Sequence, residues 1–518
     1  MTKRRRNWKA GRNTGGCLGC SQRHVRCDGR QPSCTACIKA KAICQPKKEQ
    51  LPLNDRRATR LPGEEDPWFL RASPLKQPGH IMDPFDCLPI RMPNRSRELL
   101  HYFHGSAGET IEECNFWKAK TIASLMQDRN ALQHTLIAAG LHYMWATGRG
   151  LQGFQETFCN NELQIIGDIR MWLTYPNIRD MATIARHIGI MALTECSLGN
   201  IATAEVHLEG FRSMIDQCYP VSYDLPLQLS RQEEAINCVF ILIHHIVSST
   251  KRRVDSTQSL RKLLGHGQSR SSSEALIHLL HQWHDDEIGS LPSLIQIFVL
   301  YPFFLATPPI GVEYRVDATS LIQSLKEVTA TAQKGSVLTG SEDPHPVFGG
   351  GYMSKISSAM LGCHMSMPSG SQSSPTPGLC CKREMGTSWS GISVAAELYI
   401  CYVLPIFGSS RPNVNPSFKR LVSILVKDVF EEVVVSDLVF WKAFVGAYCL
   451  DRSQSEQYDA RLEGYELILN GYIKTWSISN NVVDWAEAKK RLSSTAWLGL
   501  LELEEHVWTK AVPEEYHL

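Results

Sequence analysis

Six cysteines fall within 28 residues in the order Cys17-x2-Cys20-x6-Cys27-x6-Cys34-x2-Cys37-x6-Cys44, so the unit Cys-x2-Cys-x6-Cys occurs twice. A segment this short buries almost no apolar surface and must be held by cross-links, either disulfides or metal. The compartment decides between them. The N-terminus, Met1-Thr2-Lys3-Arg4-Arg5-Arg6-Asn7-Trp8, has no apolar leader core. The longest apolar stretches, 238–243 and 297–306, fall far short of the roughly 20 residues of a membrane span, and Pro302 interrupts the second. The chain therefore reads as intracellular and not membrane-bound, where clustered thiols are metal ligands before they are disulfides. The other eleven of the 17 cysteines are scattered from Cys87 to Cys449 and read as small buried hydrophobes.

Tetrahedral zinc with thiolate ligands accounts for the spacing. Cys-x2-Cys brings two sulfurs to one metal from a tight turn, and the next six residues form a short helix that returns a third. Two zincs need eight ligand positions, so two of the six sulfurs bridge both metals unless another residue joins. Metal binding would then supply the folding energy of the segment.

The overall charge of +2 hides an asymmetry. Residues 1–48 hold six Lys and seven Arg against a single acid, Asp28. A basic head on a mildly acidic body implies a polyanion partner for the head alone. Lys3-Arg4-Arg5-Arg6 has the composition of a nuclear import signal or a phosphate-gripping arm. Ser21-Gln22-Arg23-His24-Val25-Arg26 has the content of a small reading helix, because arginine pairs bidentately with guanine and basic side chains anchor phosphates. Lys39 and Lys41 are candidate phosphate contacts. No aromatic residue lies between Cys17 and Cys44, which argues against reading RNA by base stacking.

With Arg23, Arg26, Asp28 and Pro32 in place, the six-cysteine spacing resembles the fungal binuclear zinc cluster of transcription factors. The resemblance implies two Zn2+ ions, with Cys17 and Cys34 bridging. One ion would be held by Cys17, Cys20, Cys27 and Cys34, the other by Cys17, Cys34, Cys37 and Cys44. It also implies that the helix after Cys20 enters the major groove of a CGG-type triplet, with Arg23, His24 and Arg26 contacting DNA, and that Pro32 belongs to the loop joining the halves. Two positions depart from the family pattern: Ser21 replaces a frequent basic residue, and His24 stands where lysine usually makes the base contact.

Residues 45–94 read as a linker, since nine of the 26 prolines lie in 46–93 and proline at that density gives an extended tether. No sustained heptad follows the cysteine segment, so any homodimer would have to form through the body. Trp68 and Phe69 read as docking on that body or, as the alternative, as a short interaction motif. From Ser96, a candidate N-cap, the period turns helical: Leu99, Leu100 and Phe103; Leu132, Leu136, Ala139 and Tyr143 behind Asp128; Ile184, Ile188, Met191 and Glu195; Leu438, Trp441, Phe444, Val445 and Tyr448; Trp485, Ala488, Leu492 and Thr495. Residues 95–518 thus read as a large all-α domain of antiparallel helices, and the whole chain as mostly α. Asp83-Pro84-Phe85, the stretch 98–103, His207-Leu208-Glu209-Gly210 and Val439-Phe440-Trp441 resemble, in this order, the fungal-specific transcription factor domain that often follows the zinc cluster. Residues 250–273 read as a polar loop, and 334–391, rich in Gly, Ser, Pro and Met, as a disordered insertion or a gene-model error.

Other patterns fail their context. Gly148-Arg149-Gly150-Leu151-Gln152-Gly153 fits a dinucleotide fingerprint but follows a helix and lacks a βαβ unit. Gly349-Gly350-Gly351 lacks the Lys-Ser/Thr of a phosphate loop. His278, His281, His284 and Asp285 read as a solvated helix face, His244 and His245 as hydrogen-bonded core histidines, and His207 as a structural cap or buried hydrogen bond. No enzyme signature remains. The expectation is a nuclear regulator of RNA polymerase II transcription that binds double-stranded DNA through Cys17–Cys44 and recruits transcription machinery or co-regulators. Its rivals are a scaffold whose zinc module binds protein, and an enzyme with a DNA-tethering head.

Overall fold

The computed structural model describes residues 17, 20, 23, 25–30, 33–42 and 44 of the N-terminal segment. In the remainder it describes 90, 92, 95–110, 128–174 except 152, 181–219, 231–263, 290–305, 315–339, 351–365, 385–404, 414–453 except 433, 459–499 and 503–513. The chain divides into two compact units, Met1–Pro78 and Gly79–Leu518. The basic run 3–6, most of the 45–94 linker with Trp68 and Phe69, Asp83–Phe85 and the His278–Asp285 group lie outside the described residues.

The first unit contains one short described helix, α1 (Thr35–Lys39), and a core of cysteines: Cys17, Cys20, Cys34 and Cys37 are buried, with Cys27, Cys44 and Ala36 packed against them.

The second unit is helical. In chain order it comprises α2 (Ser96–Thr110), α3 (Arg129–Thr147), α4 (Gln155–Thr174), α5 (Met181–Ser197), α6 (Ile201–Cys218), α7 (Arg231–Leu263) and α8 (Ser290–Leu305). Then come β1 (Arg315–Asp317), α9 (Thr319–Thr339), α10 (Gly351–Met365), β2 (Gly386–Ser388) and α11 (Trp389–Leu398), which runs into a π-helical turn, Tyr399–Val403. α12 (Pro416–Glu431), α13 (Asp437–Arg452), α14 (Ala460–Asn480), α15 (Trp485–Thr495) and α16 (Glu504–Ala511) complete it. Local chemistry sets the boundaries. Asp128 accepts from the amides of Asn130 and Ala131 to start α3, and Gly148 closes it at φ 62°. Asn415 and Ser436 cap α12 and α13 in the same way, with Pro416 at the first position of α12.

Each apolar stripe read from the sequence is buried, apart from Glu195 and the half-buried Ile188 and Trp485. α5 and α6 form a helical hairpin across the short turn at Gly199, and α7 packs on both. α13 is buried along nearly its whole length between α12, α14 and α15. Its Phe440 stacks on Trp476 with centroids 3.7 Å apart, and Trp441 donates its indole N–H to the Ala496 carbonyl at 2.5 Å.

Several expectations need correction. Ser96 is the first helical residue, and the Arg95 carbonyl accepts from the Leu99 amide in the capping position. Pro302 does not break the apolar run; α8 passes through it. The polar segment 250–263 is the continuation of α7. The supposed insertion 334–391 holds the end of α9, all of α10, β2 and the start of α11. α10 escaped notice because Gly and Ser dilute its stripe, yet Met353, Ile356, Met360 and Leu361 recur at helical spacing and are buried. β1 and β2 form a two-stranded antiparallel ribbon, with Val316 opposite Thr387. Among the scattered cysteines, Cys196, Cys238, Cys363, Cys401 and Cys449 are buried as expected, but Cys159 and Cys218 are exposed. Among the described residues, no helix is long and apolar enough to cross a membrane.

The ribbon is tied to the core by a buried charge. Lys442 on α13, fully buried, donates to Asp428 Oδ2 at 2.5 Å and to Thr387 Oγ1 at 2.8 Å, with Glu432 at 3.7 Å. Gly391 leaves room for this pair, because a Cβ there would collide with the Asp428 carboxylate. Removing one member of a buried ion pair strands the other's charge. Lys442→Met is therefore expected to cost about 3–5 kcal/mol, read as a lower urea midpoint at unchanged slope; an unchanged midpoint would show that the pair does not hold the ribbon.

Candidate metal centre and nucleic-acid interface

The six sulfurs converge because the two halves fold alike. The Cys20 amide donates to Cys17 Sγ at 3.4 Å, and 17 residues later the Cys37 amide donates to Cys34 Sγ at 3.4 Å. The Cys17 amide donates to Cys27 Sγ at 3.5 Å, and the Cys34 amide to Cys44 Sγ at 3.4 Å. The Val25 amide reaches the Cys20 carbonyl, and the Ala42 amide the Cys37 carbonyl. In the second half this last bond, together with Lys41 N–H to the Ile38 carbonyl, is the paired closure of a helix end. It places Lys41 at φ 47°, a left-handed position where glycine is customary.

The result is two overlapping sets of sulfurs. Cys17, Cys20, Cys27 and Cys34 lie within 4.8 Å of one another, as do Cys17, Cys34, Cys37 and Cys44. Only Cys17 and Cys34 belong to both. A zinc–sulfur bond of about 2.3 Å in tetrahedral geometry separates its sulfurs by roughly 3.8 Å. The Cys17–Cys34, Cys17–Cys37 and Cys20–Cys34 sulfurs are 3.7, 3.5 and 3.4 Å apart, so the donor set fits two metals sharing two thiolates. Without a cation the sulfurs do not ionise alike: burial pushes the Cys20 thiol up and the Cys37 thiol up to about 12, whereas the amide bonds from Cys20 and Cys37 lower the Cys17 and Cys34 thiols despite burial. Two zinc ions held by these six cysteines would supply the cross-link that the segment lacks.

Around the sulfurs, Asp28 accepts from the Thr35 amide at 3.1 Å and from the Thr35 hydroxyl, and these bonds hold its carboxyl below the usual range. This clasp fastens the end of the first half to the start of α1; Asp28 stood out in the sequence, but Thr35 did not. Arg26, Lys39 and Lys41 are exposed. Arg23 is exposed as well, but its guanidinium reaches the second half: its Nη2 donates to Cys37 Sγ at 3.3 Å and lies 3.4 Å from the Ala36 carbonyl oxygen. His24 and Pro32 lie outside the described residues.

The decoys take structural roles. Gly148 and Gly153 shape the turn after α3, and the Gly153 carbonyl accepts from Arg95 at 2.9 Å. His245 bonds Glu397, with His244 Nδ1 3.4 Å from the same carboxylate. Burial alone would raise Glu397, but His245 and His244 together hold it well below the carboxylate range. His207 lies half-buried in mid-α6, so it is not a cap.

Native mass spectrometry is expected to find two zincs per chain, none in Cys17→Ser and one in Cys27→Ser, because Cys17, unlike Cys27, serves both sulfur sets. One metal retained in both variants would refute the shared-sulfur arrangement.

No curated protein and no solved structure matches this chain. Residues 15–53 match the family model of the fungal Zn(2)-Cys(6) binuclear cluster domain, a zinc-binding and DNA-binding domain of transcription regulators.

Proposed function

We propose that this chain is a nuclear regulator of RNA polymerase II transcription. Its zinc cluster binds a CGG-like triplet in the major groove, and its helical body, residues 95–518, acts as the regulatory domain. The observation that carries the reading is the repetition of the sulfur geometry at a 17-residue offset, which yields two four-sulfur sets sharing Cys17 and Cys34. All six cysteines serve as ligands in this reading.

Charge supports a DNA partner. Residues 17–44 carry five Lys and Arg against Asp28 alone, and the exposed Arg26, Lys39 and Lys41 are available to phosphates and base edges. Arg26, with His24 two residues before it, supplies the base contacts; Lys39 and Lys41 hold the backbone. A single triplet carries little specificity, so paired half-sites read by a homodimer follow from the same logic. The body supplies that pairing surface and the contacts to co-regulators, since the sequence after Cys44 contains no heptad.

Fluorescence anisotropy with CGG-containing and scrambled duplexes tests this. Wild type is expected to prefer CGG, to lose binding in chelator, and to weaken steeply with salt, as about six to ten phosphate contacts require. Lys41→Gly keeps the left-handed backbone position while removing the charge; it should weaken all sequences alike and lower the salt slope by about one. Equal binding to both duplexes, or binding indifferent to chelator, would sink the proposal.

A further inference from the structure

Arg23 was expected at a base edge, three residues after Cys20, but its guanidinium bonds the other half of the cluster. A guanidinium N–H donated to a thiolate is a charge-assisted bond, stronger than one between neutral groups. Two zincs and six thiolates carry a net negative charge, so a cation here also offsets charge that the metals leave uncompensated. The bond reaches Cys37, which belongs to only one of the two sulfur sets.

The near-symmetry of the halves makes this contact informative. Shifted by 17 residues, the position equivalent to Arg23 is Ala40, as Cys37 is equivalent to Cys20. Ala40 is exposed and has only a methyl group, so it supplies no donor to Cys20. The repeated amide-to-sulfur bonds agree in length to within 0.1 Å, 3.4 and 3.4 Å in one pair and 3.5 and 3.4 Å in the other. The backbone thus treats the two sulfur sets alike, and Arg23 distinguishes them.

We infer that Arg23 is a positioning residue of the metal centre rather than a reader of bases, and that it makes the two metals unequal. The metal on Cys17, Cys34, Cys37 and Cys44 is held longer than the one on Cys17, Cys20, Cys27 and Cys34. The same bond links the halves, because Nη2 also lies against the Ala36 carbonyl at the start of α1. Triplet preference then rests on the remaining basic residues. The inference depends on the two-zinc reading, but not on DNA recognition.

The test is zinc release from the full-length, zinc-loaded protein challenged with EDTA, followed by native mass spectrometry. Two zincs per chain before the challenge secure the two-zinc reading independently. Wild type is expected to pass through a populated one-zinc species. Arg23→Ala should release the slower metal on the order of tenfold faster, since hydrogen bonds to charged groups are worth at least a factor of ten, and the one-zinc species should shrink. Arg23→Lys, which keeps the charge without the planar fork, should fall between them. Ala40→Arg should slow loss of the first metal. In saturating zinc, Arg23→Ala should keep the wild-type ratio of affinities for CGG and scrambled duplexes, a readout that a purely structural defect would not preserve. Wild-type release kinetics in Arg23→Ala, or a relaxed duplex ratio in saturating zinc, would overturn the inference.

Discussion

The N-terminal unit depends on six sulfurs that cannot remain close as thiolates without a cation. Burial raises the Cys20 and Cys37 thiols, and among the described residues only Ala36 joins the cysteines in this core. Metal supplies what hydrophobic burial supplies elsewhere, and the fold of the segment follows from ligand count. The backbone prepares for it: each half turns amides toward its sulfurs, and Asp28 clasps Thr35 so that the second half begins where the first ends. Charge is balanced on the same small scale. Arg23 directs an N–H at Cys37 and so offsets cluster charge, and Arg23, Arg26, Lys39 and Lys41 are all exposed.

The helical unit rests on different physics. Its core is apolar and aromatic, gathered around α13, where Phe440 meets Trp476, Phe444 meets Trp485 and Trp497, and Trp441 bonds the Ala496 carbonyl. Polar groups inside it are retained in pairs. Lys442 with Asp428 joins the ribbon to α12 and α13, and Glu397 with His244 and His245 joins α7 to α11 just before the π-helical turn. Such groups cost desolvation and repay it only with good geometry, so they define which helices may neighbour one another. An all-α body can serve many functions, and the helical fold by itself identifies none.

The cysteine spacing and helical stripes were legible because both are periodic. A 17-residue repeat appears in the sequence as it does in the bonds, and a 3.6-residue period shows through any surface composition. The misreadings arose where composition and period disagreed. Residues 351–365 are rich in Gly and Ser, yet place Met353, Ile356 and Met360 on one face; residues 250–263 are polar, yet continue α7 from its buried first half. Packing against neighbours overrode local preference in the first case, and helix propagation did so in the second.

The sequence by itself determined the metal chemistry, the site of positive charge and the helical class, since each depends on residue type and spacing along the chain. Tertiary structure decided that Arg23 bonds Cys37 and that Lys442 lies in the core beside Asp428. These facts concern residues whose proximity no local period encodes. Arginine beside a cysteine motif looks the same in sequence whether it faces DNA or sulfur; only the closure of one half upon the other, drawn together by shared ligands, determines which partner it meets.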